Sequence, residues 1–285
     1  MKTSIEQIIN SYSPKSIDET KAILREITQS IVLIGLSRGG FFEKASFYGG
    51  TALRIFYGLN RFSEDLDFTL NDKDMDFSIE PYLKYIEEVA LSYGLKLEIV
   101  TKNKSVSTPI ESAFAKFNTY QTFISLKLNP NMVTRLHKDE MVKVKFEVDR
   151  NPTLGFNTES KWIDIPEFGL VSVLDEPSLF SGKIHAILCR TYKNNVKGRD
   201  YYDFLFYMQR RIKPNLLYLK NKLVETGKMN EEEEFDIDVL KEMLLEKFNN
   251  VDFEQVKRDA QKFLFKGEDL SYYSKELFIG MLNRL

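Results

Sequence analysis

Cysteine and histidine are nearly missing from this chain, whose 285 residues hold one Cys (Cys189) and two His (His137, His185). A lone cysteine forms no internal disulfide, which fits a reducing compartment, and cytoplasm is the expected location. So few nitrogen and sulfur donors argue against a structural zinc site. Any metal is expected to be a hard cation held by carboxylates. Long apolar runs are missing too: none approaches the roughly 20 residues that span a bilayer, so no membrane association is expected. The opening MKTSIEQIIN sets acidic and polar residues where a secretory signal needs an apolar stretch. A basic excess is also absent, since 40 Lys and Arg stand against 42 Asp and Glu, a net charge of −2. That balance argues against wrapping a long polyanion. It leaves ample cations for a local patch around a nucleotide or one end of an RNA.

What is present is the composition of a globular protein, 43% hydrophobic and 29% charged, in a chain long enough for one large core or two ordinary ones. No internal repeat is visible, and the acidic run Glu231 to Glu234 reads as a solvated loop. Apolar spacing predicts helices over residues 17–36, 51–57 and 79–93, the last ending at Gly94. Residues 66–70, 95–100, 114–119, 122–128 and 142–148 are rich in β-branched and aromatic side chains and are predicted as strands. The character changes near Pro166 to Pro177. Beyond it, helices are predicted over 176–192, 199–211, 214–225, 236–248, 252–264 and 271–284. The expected architecture is α/β plus α, with one domain over residues 1–165 and a helical domain over 166–285.

The stretch Phe47-Tyr-Gly-Gly-Thr-Ala-Leu-Arg-Ile-Phe-Tyr-Gly-Leu-Asn-Arg-Phe-Ser-Glu-Asp-Leu-Asp-Phe68 carries the most chemistry. Two glycines directly before a helix let the backbone pass close to a bound group and aim unpaired N–H groups at it, as a phosphate requires. In a strand, Asp65 and Asp67 point the same way while Leu66 and Phe68 point the other. Two such carboxylates repel unless a positive charge joins them, and a divalent cation brought by a nucleoside triphosphate supplies one. Taken singly, a Gly-Gly is a turn and an Asp-x-Asp a solvated strand end. In this order, with a short helix between, they read as a magnesium-dependent nucleotide site.

Val142-Lys-Val-Lys-Phe-Glu-Val-Asp149 alternates, with Val142, Val144, Phe146 and Val148 on one face and Lys143, Lys145, Glu147 and Asp149 on the other. Any half-exposed edge strand looks like this. Placed beside residues 66–70, it would add a third carboxylate that completes a metal site and takes a proton from an attacking hydroxyl. Glu147 is preferred over Asp149. In the helical part, Lys183 and Arg190 lie two turns apart on one helix face, and Asp200 and Asp203 share a face of the next helix. A lysine facing a triphosphate would stabilise charge on the leaving group. A salt-bridge cluster between packed helices explains the same spacing. His137, His185 and Cys189 read as loop or packing residues.

Gly49-Gly-Thr-Ala-Leu53 followed by Arg61-Phe-Ser-Glu-Asp-Leu-Asp-Phe68 resembles the signature of the AbiEii/AbiGii family of nucleotidyltransferase-like toxins. Lys183, Arg190 and Lys197-Gly-Arg-Asp-Tyr-Tyr-Asp203 resemble that family's helical motif, and the resemblance spans roughly residues 30–210. It implies a DNA-polymerase-β-like nucleotidyltransferase domain with a mixed sheet and a helical C-terminal domain. Its members are toxins of toxin–antitoxin and phage-defence systems, and the MenT-like ones add nucleotides to the 3′ end of tRNA. Carried over, Asp65 and Asp67 become metal ligands, Lys183 with Arg190 a triphosphate contact, and Asp203 a catalytic or site-organising carboxylate. Gly49 and Gly50 stand where the wider superfamily has Gly-Ser, and Thr51 is the candidate replacement for the serine hydroxyl. The expectation is therefore Mg2+, a nucleoside triphosphate, a tRNA 3′ end as acceptor and a cognate antitoxin. Lys143, Lys145, Arg190, Lys193, Lys197 and Arg199 are candidate RNA contacts. Two rivals are a small-molecule nucleotidyltransferase of the aminoglycoside-modifying kind, and a catalytically inactive nucleotide-binding interaction module.

Overall fold

The computed structural model describes residues 4–101, 108–126, 128, 133–190, 196–264 and 268–285. Its contacts divide the chain into two compact units. The first comprises Met1–Phe47, Glu64–Pro152 and Ser160–Val173; the second comprises Tyr48–Ser63, Thr153–Glu159 and Leu174–Leu285. Each unit therefore draws on several stretches of sequence.

The first unit is built on a seven-stranded mixed sheet. In chain order its strands are β1 (Ala45–Tyr48), β2 (Leu66–Leu70), β3 (Glu98–Thr101), β4 (Ile110–Asn118), β5 (Met141–Asp149), β6 (Thr158–Ile163) and β7 (Gly169–Leu174), arranged β3-β4-β5-β2-β1-β7-β6. β2 runs parallel to β5 with Leu66 beside Phe146, Asp67 beside Glu147 and Phe68 beside Val148, while β4 runs antiparallel to β5. The even-numbered face of β2 and β5 behaves as alternation demands. Leu66, Phe68, Val144, Phe146 and Val148 are fully buried, and Phe68 meets Phe41 and Phe47 with ring centres 5.1 and 5.2 Å apart.

Helices α1 (Ile5–Ser11), α2 (Ile17–Arg38), α4 (Glu80–Ser92) and α5 (Thr119–Ser125) complete this unit. α2 is capped by Ser16, whose hydroxyl accepts from the Glu19 N–H, and α4 runs into Tyr93 and a left-handed Gly94. Both helices occupy the segments where the apolar period places them. Residues 122–128, read as a strand from Thr122, Phe123 and Ile124, are instead entered by a helix. Asn118 ends β4 and caps α5, its side-chain oxygen accepting from the Gln121 N–H, so the chain turns before those β-prone residues can pair. β1, β6 and β7 are strands that the sequence pattern does not predict. β1 and β7 pair in parallel through Phe47 and Val173, a partnership no local pattern reports.

The second unit is helical: α3 (Gly49–Tyr57), α6 (Glu176–Cys189), α7 (Gly198–Gln209), α8 (Leu216–Glu225), α9 (Ile237–Asn250), α10 (Phe253–Ala260) and α11 (Lys275–Met281). Its core is aromatic, with Phe180 stacked on Tyr207 at 4.5 Å, Phe248 and Phe278 packed tilted and edge to face on Tyr201, and Phe204 edge to face on Phe248. The mixed sheet and the helical part together are the α/β plus α architecture expected. Among the described residues, no helix is long and apolar enough to cross a membrane.

Gly35 sets how closely α2 and α4 approach. A Cβ there would lie 2.5 Å from Ile86 Cα and 2.8 Å from its nitrogen. Alanine in a helix gains about 1 kcal/mol over glycine, but overpacking against backbone that cannot yield costs about 1–3 kcal/mol or more. Gly35→Ala is expected to lower the urea midpoint. An unchanged or raised midpoint would mean the two helices stand further apart.

Candidate active site

On the sheet of the first unit, the carboxylate face is set by one register. Asp67 on β2 and Glu147 on β5 are direct partners, and neighbouring strands lie about 4.8 Å apart, so the two side chains leave one face side by side. Asp65 precedes β2 by one residue and is exposed; Asp67 and Glu147 are half-buried. Thr69 faces Asp149 two residues further along, which puts Glu147 rather than Asp149 beside Asp67. Across β5 on the other side, the register partner of Glu147 is Ser112, 3% exposed. Its hydroxyl donates to Glu147 Oε1 at 2.8 Å, and Lys145 Nζ approaches Glu147 Oε2 at 2.5 Å.

These donors suit a hard divalent cation, being carboxylate oxygens on adjacent strands with a positive group already drawn onto one of them. As the side chains stand, no group of three or more His, Cys, Asp or Glu side chains is gathered as metal ligands among the described residues. The ammonium of Lys145 lies on one oxygen of Glu147.

In the second unit, α3 begins at the glycine pair. Gly49 has φ of +87°, a conformation that side-chain-bearing residues rarely adopt, and the side chain of Tyr48 at the N-cap does not cap the helix. Gly50 answers a different need: a Cβ there would lie 2.6 Å from Arg61 Nη2 and 3.0 Å from Ser63 Oγ. The close approach expected for a bound group is therefore made, in this structure, to a buried arginine. Thr51 is fully buried and its hydroxyl donates to Ser63 Oγ at 2.8 Å.

Arg61 anchors an ionic chain through the helical motif. Its Nε and Nη2 donate to the two oxygens of Asp203 at 2.6 and 2.7 Å, and its Nη1 donates to the Phe62 carbonyl at 2.9 Å. Lys183 on α6 reaches Asp203 at 2.7 Å and Asp200 at 3.2 Å, both on α7, and Arg190 at the end of α6 pairs with Asp200. The shared faces read from the spacing are thus realised. Three cations and two carboxylates leave one positive charge in excess. Asp203 is 0% exposed, and burial alone would push its carboxyl up. The Arg61 guanidinium and the Lys183 ammonium outweigh that and hold it below the usual carboxylate range. The sequence places Arg61 inside the motif but gives it no role, since its partner lies 142 residues away.

The other motif residues have plainer duties. Gly198 is irreplaceable in packing, because a Cβ would lie 2.0 Å from the Val256 carbonyl oxygen. Arg199 lies over the Phe263 ring at 5.1 Å, and Lys197 is exposed. Lys143 is exposed on β5 beside Lys116. Lys193 lies outside the described residues. His185, near the Thr226 hydroxyl, is held neutral by burial with its pKa down to about 4, as a packing residue would be.

The chain matches the model of the family described as "Nucleotidyl transferase AbiEii toxin, Type IV TA system" over residues 31–276. No curated protein matches it in sequence. Similar solved structures include JHP933 from Helicobacter pylori, 18% identical over 92% of this chain and 88% of that one, with a TM-score of 0.48. They also include MenT4, a nucleotidyltransferase toxin from Mycobacterium tuberculosis H37Rv, 15% identical over 98% of this chain and 99% of that one, with a TM-score of 0.49.

Removing one member of a buried ion pair strands the other, at a cost of about 3–5 kcal/mol. Asp203→Asn is expected to lose stability on that scale in urea titrations at neutral pH. Arg190→Ala, whose side chain is 45% exposed, should lose under about 1 kcal/mol. A depressed carboxyl stabilises the fold above its unfolded pKa, and the contribution disappears as pH falls through the lower folded value. The gap between wild type and Asp203→Asn should therefore close only in acid, below the ordinary carboxylate range. Equal losses for the two variants would contradict the burial gradient.

Proposed function

The chain belongs to the AbiEii family of nucleotidyltransferase toxins, and we propose that it is a magnesium-dependent enzyme acting on the 3′ end of an RNA. The reaction moves a nucleoside monophosphate from a nucleoside triphosphate to a hydroxyl, with pyrophosphate leaving. A tRNA is the favoured acceptor, the cytoplasm the place of action and a cognate antitoxin protein the expected control. The observation that carries the reading is the placement of Asp67 beside Glu147 on adjacent parallel strands, with Asp65 two residues before Asp67.

In this reading Asp65 and Asp67 hold the magnesium, with Glu147 as the third carboxylate. The ion, when bound, draws charge from the phosphates and lowers the barrier to displacement. Glu147 accepts the proton of the attacking hydroxyl through an oxygen that Ser112 keeps in a fixed orientation. The turn at Gly49, Gly50 and Thr51 offers backbone N–H groups to phosphate oxygens. Lys183 and Arg190 supply positive charge toward the triphosphate from a chain with one cation in excess, and Asp203 orients Arg61 and Lys183. Thr51, with its hydroxyl on Ser63, contributes through its backbone.

Incubation of the purified protein with each labelled triphosphate, Mg2+ and total cellular RNA tests the reaction. Label should enter RNA as pyrophosphate is released. Asp65→Ala and Asp67→Ala should each fall at least about a hundredfold, the scale of losing a preorganised electrostatic group, while remaining folded. Near-normal turnover by either variant would remove it from the site. Label entering only small molecules would favour the antibiotic-modifying reading, and no transfer with any acceptor would favour the inactive module.

The acceptor is tested through salt. Removing a cation that pairs with an RNA phosphate should reduce the slope of log affinity against log salt by about 0.7–0.9. Lys193→Glu with Lys197→Glu should bind RNA more weakly and with less salt sensitivity while still binding free triphosphate. Identical RNA affinity across the titration would exclude these two lysines from the acceptor surface.

A further inference from the structure

Glu147 is held from two sides by groups of opposite character. Ser112 is buried, neutral and fixed by the β4–β5 register, and it donates to Oε1. Lys145 lies two residues before Glu147 on the same face of β5, and its ammonium meets Oε2. The two side chains of this ion pair are 34% and 27% exposed, so the ammonium has a path to water that Ser112 lacks. Beyond Glu147 stands Asp67, its partner on β2. Like charges directly across a strand pair destabilise the sheet, and an opposite charge on one of them relieves the repulsion.

We propose that Lys145 is a built-in counter-ion of Glu147 that holds the place of the divalent cation in the resting enzyme and yields it when the ion binds. The inference rests on reading Asp65, Asp67 and Glu147 as the metal-binding carboxylates. A divalent cation held by Glu147 would compete with the ammonium for the charge on this carboxylate, so binding of one would displace the other. The flexible four-carbon stem of lysine lets the ammonium swing away without moving the strand. Glu147 keeps its orientation meanwhile through Ser112. Lys145 thereby offsets the charge of Glu147 before metal arrives, and weakens metal binding by the strength of one half-exposed ion pair.

Mn2+ alone, titrated into the purified full chain without nucleotide or RNA and followed by electron paramagnetic resonance, reads this competition directly. Lys145→Met keeps the stem and removes the competitor, so it should bind Mn2+ about two- to fivefold more tightly than wild type. Lys143→Met loses the same charge from the same face of β5 without touching Glu147, and should tighten binding by less than half as much. Adding Glu147→Gln to Lys145→Met should cancel the gain. Equal tightening in Lys145→Met and Lys143→Met would reduce the effect to general electrostatics and overturn the inference. Mn2+ binding that survives Asp67→Asn unchanged would overturn the metal reading itself, a separate failure.

Discussion

Strands β2 and β5 lie in a parallel register that places Leu66, Phe68, Val144, Phe146 and Val148 inward and Asp67 and Glu147 outward. Side chains alternate with a period of two, so a slip of one residue would exchange the faces. Each of those five apolar side chains gains about 1.5–3 kcal/mol from burial, far more than any arrangement of half-exposed charges on the opposite face returns. The register is thus chosen by the apolar face, and the carboxylate face inherits its geometry. Asp67 beside Glu147 is a consequence of packing Phe68 against Phe41 and Phe47. The electrostatic cost of that inheritance is relieved locally by Lys145 and Ser112.

The helical unit solves a related problem with different means. Asp203 and Arg61 are almost wholly enclosed, and burying either alone would be far more costly than leaving it in water. They are tolerable because the guanidinium fork matches the carboxylate at two oxygens and Lys183 occupies the remaining direction. The chain of charges then runs outward through Asp200 to the exposed Arg190. Gly50 is small because Arg61 needs the space. The ion pairs of Lys183 with Asp200 and Asp203 match the salt-bridge explanation of their spacing, and the proposed contact to a triphosphate is compatible with it. An ion-pair network with one positive charge left over is both a brace and a source of positive potential.

Residues whose role follows from local periodicity are legible in the sequence. The alternation of 142–148 places its apolar face correctly, and the glycine turn, the short helix and the Asp65–Asp67 pair appear in their true order. The family membership follows from those same motifs. Residues whose role depends on distant partners are not legible. Arg61 stands inside the motif, yet nothing nearby indicates a carboxylate on α7, and Ser112 carries no pattern at all. β1 is only four residues long, and its pairing with β7 joins segments far apart in the chain. α5 reads as a strand because Thr122, Phe123 and Ile124 carry β propensity, while the cap at Asn118 and the burial of Phe123 decide the outcome.

Crystals grown with Mn2+ and a non-hydrolysable nucleoside triphosphate, measured at the manganese absorption edge, test the central claim most directly. The account predicts an anomalous peak at about 2.0–2.2 Å from carboxylate oxygens of both Asp65 and Asp67, near the distances of magnesium-type coordination. Nucleotide bound with no peak at these two residues, or with the peak ligated by other side chains, would contradict it.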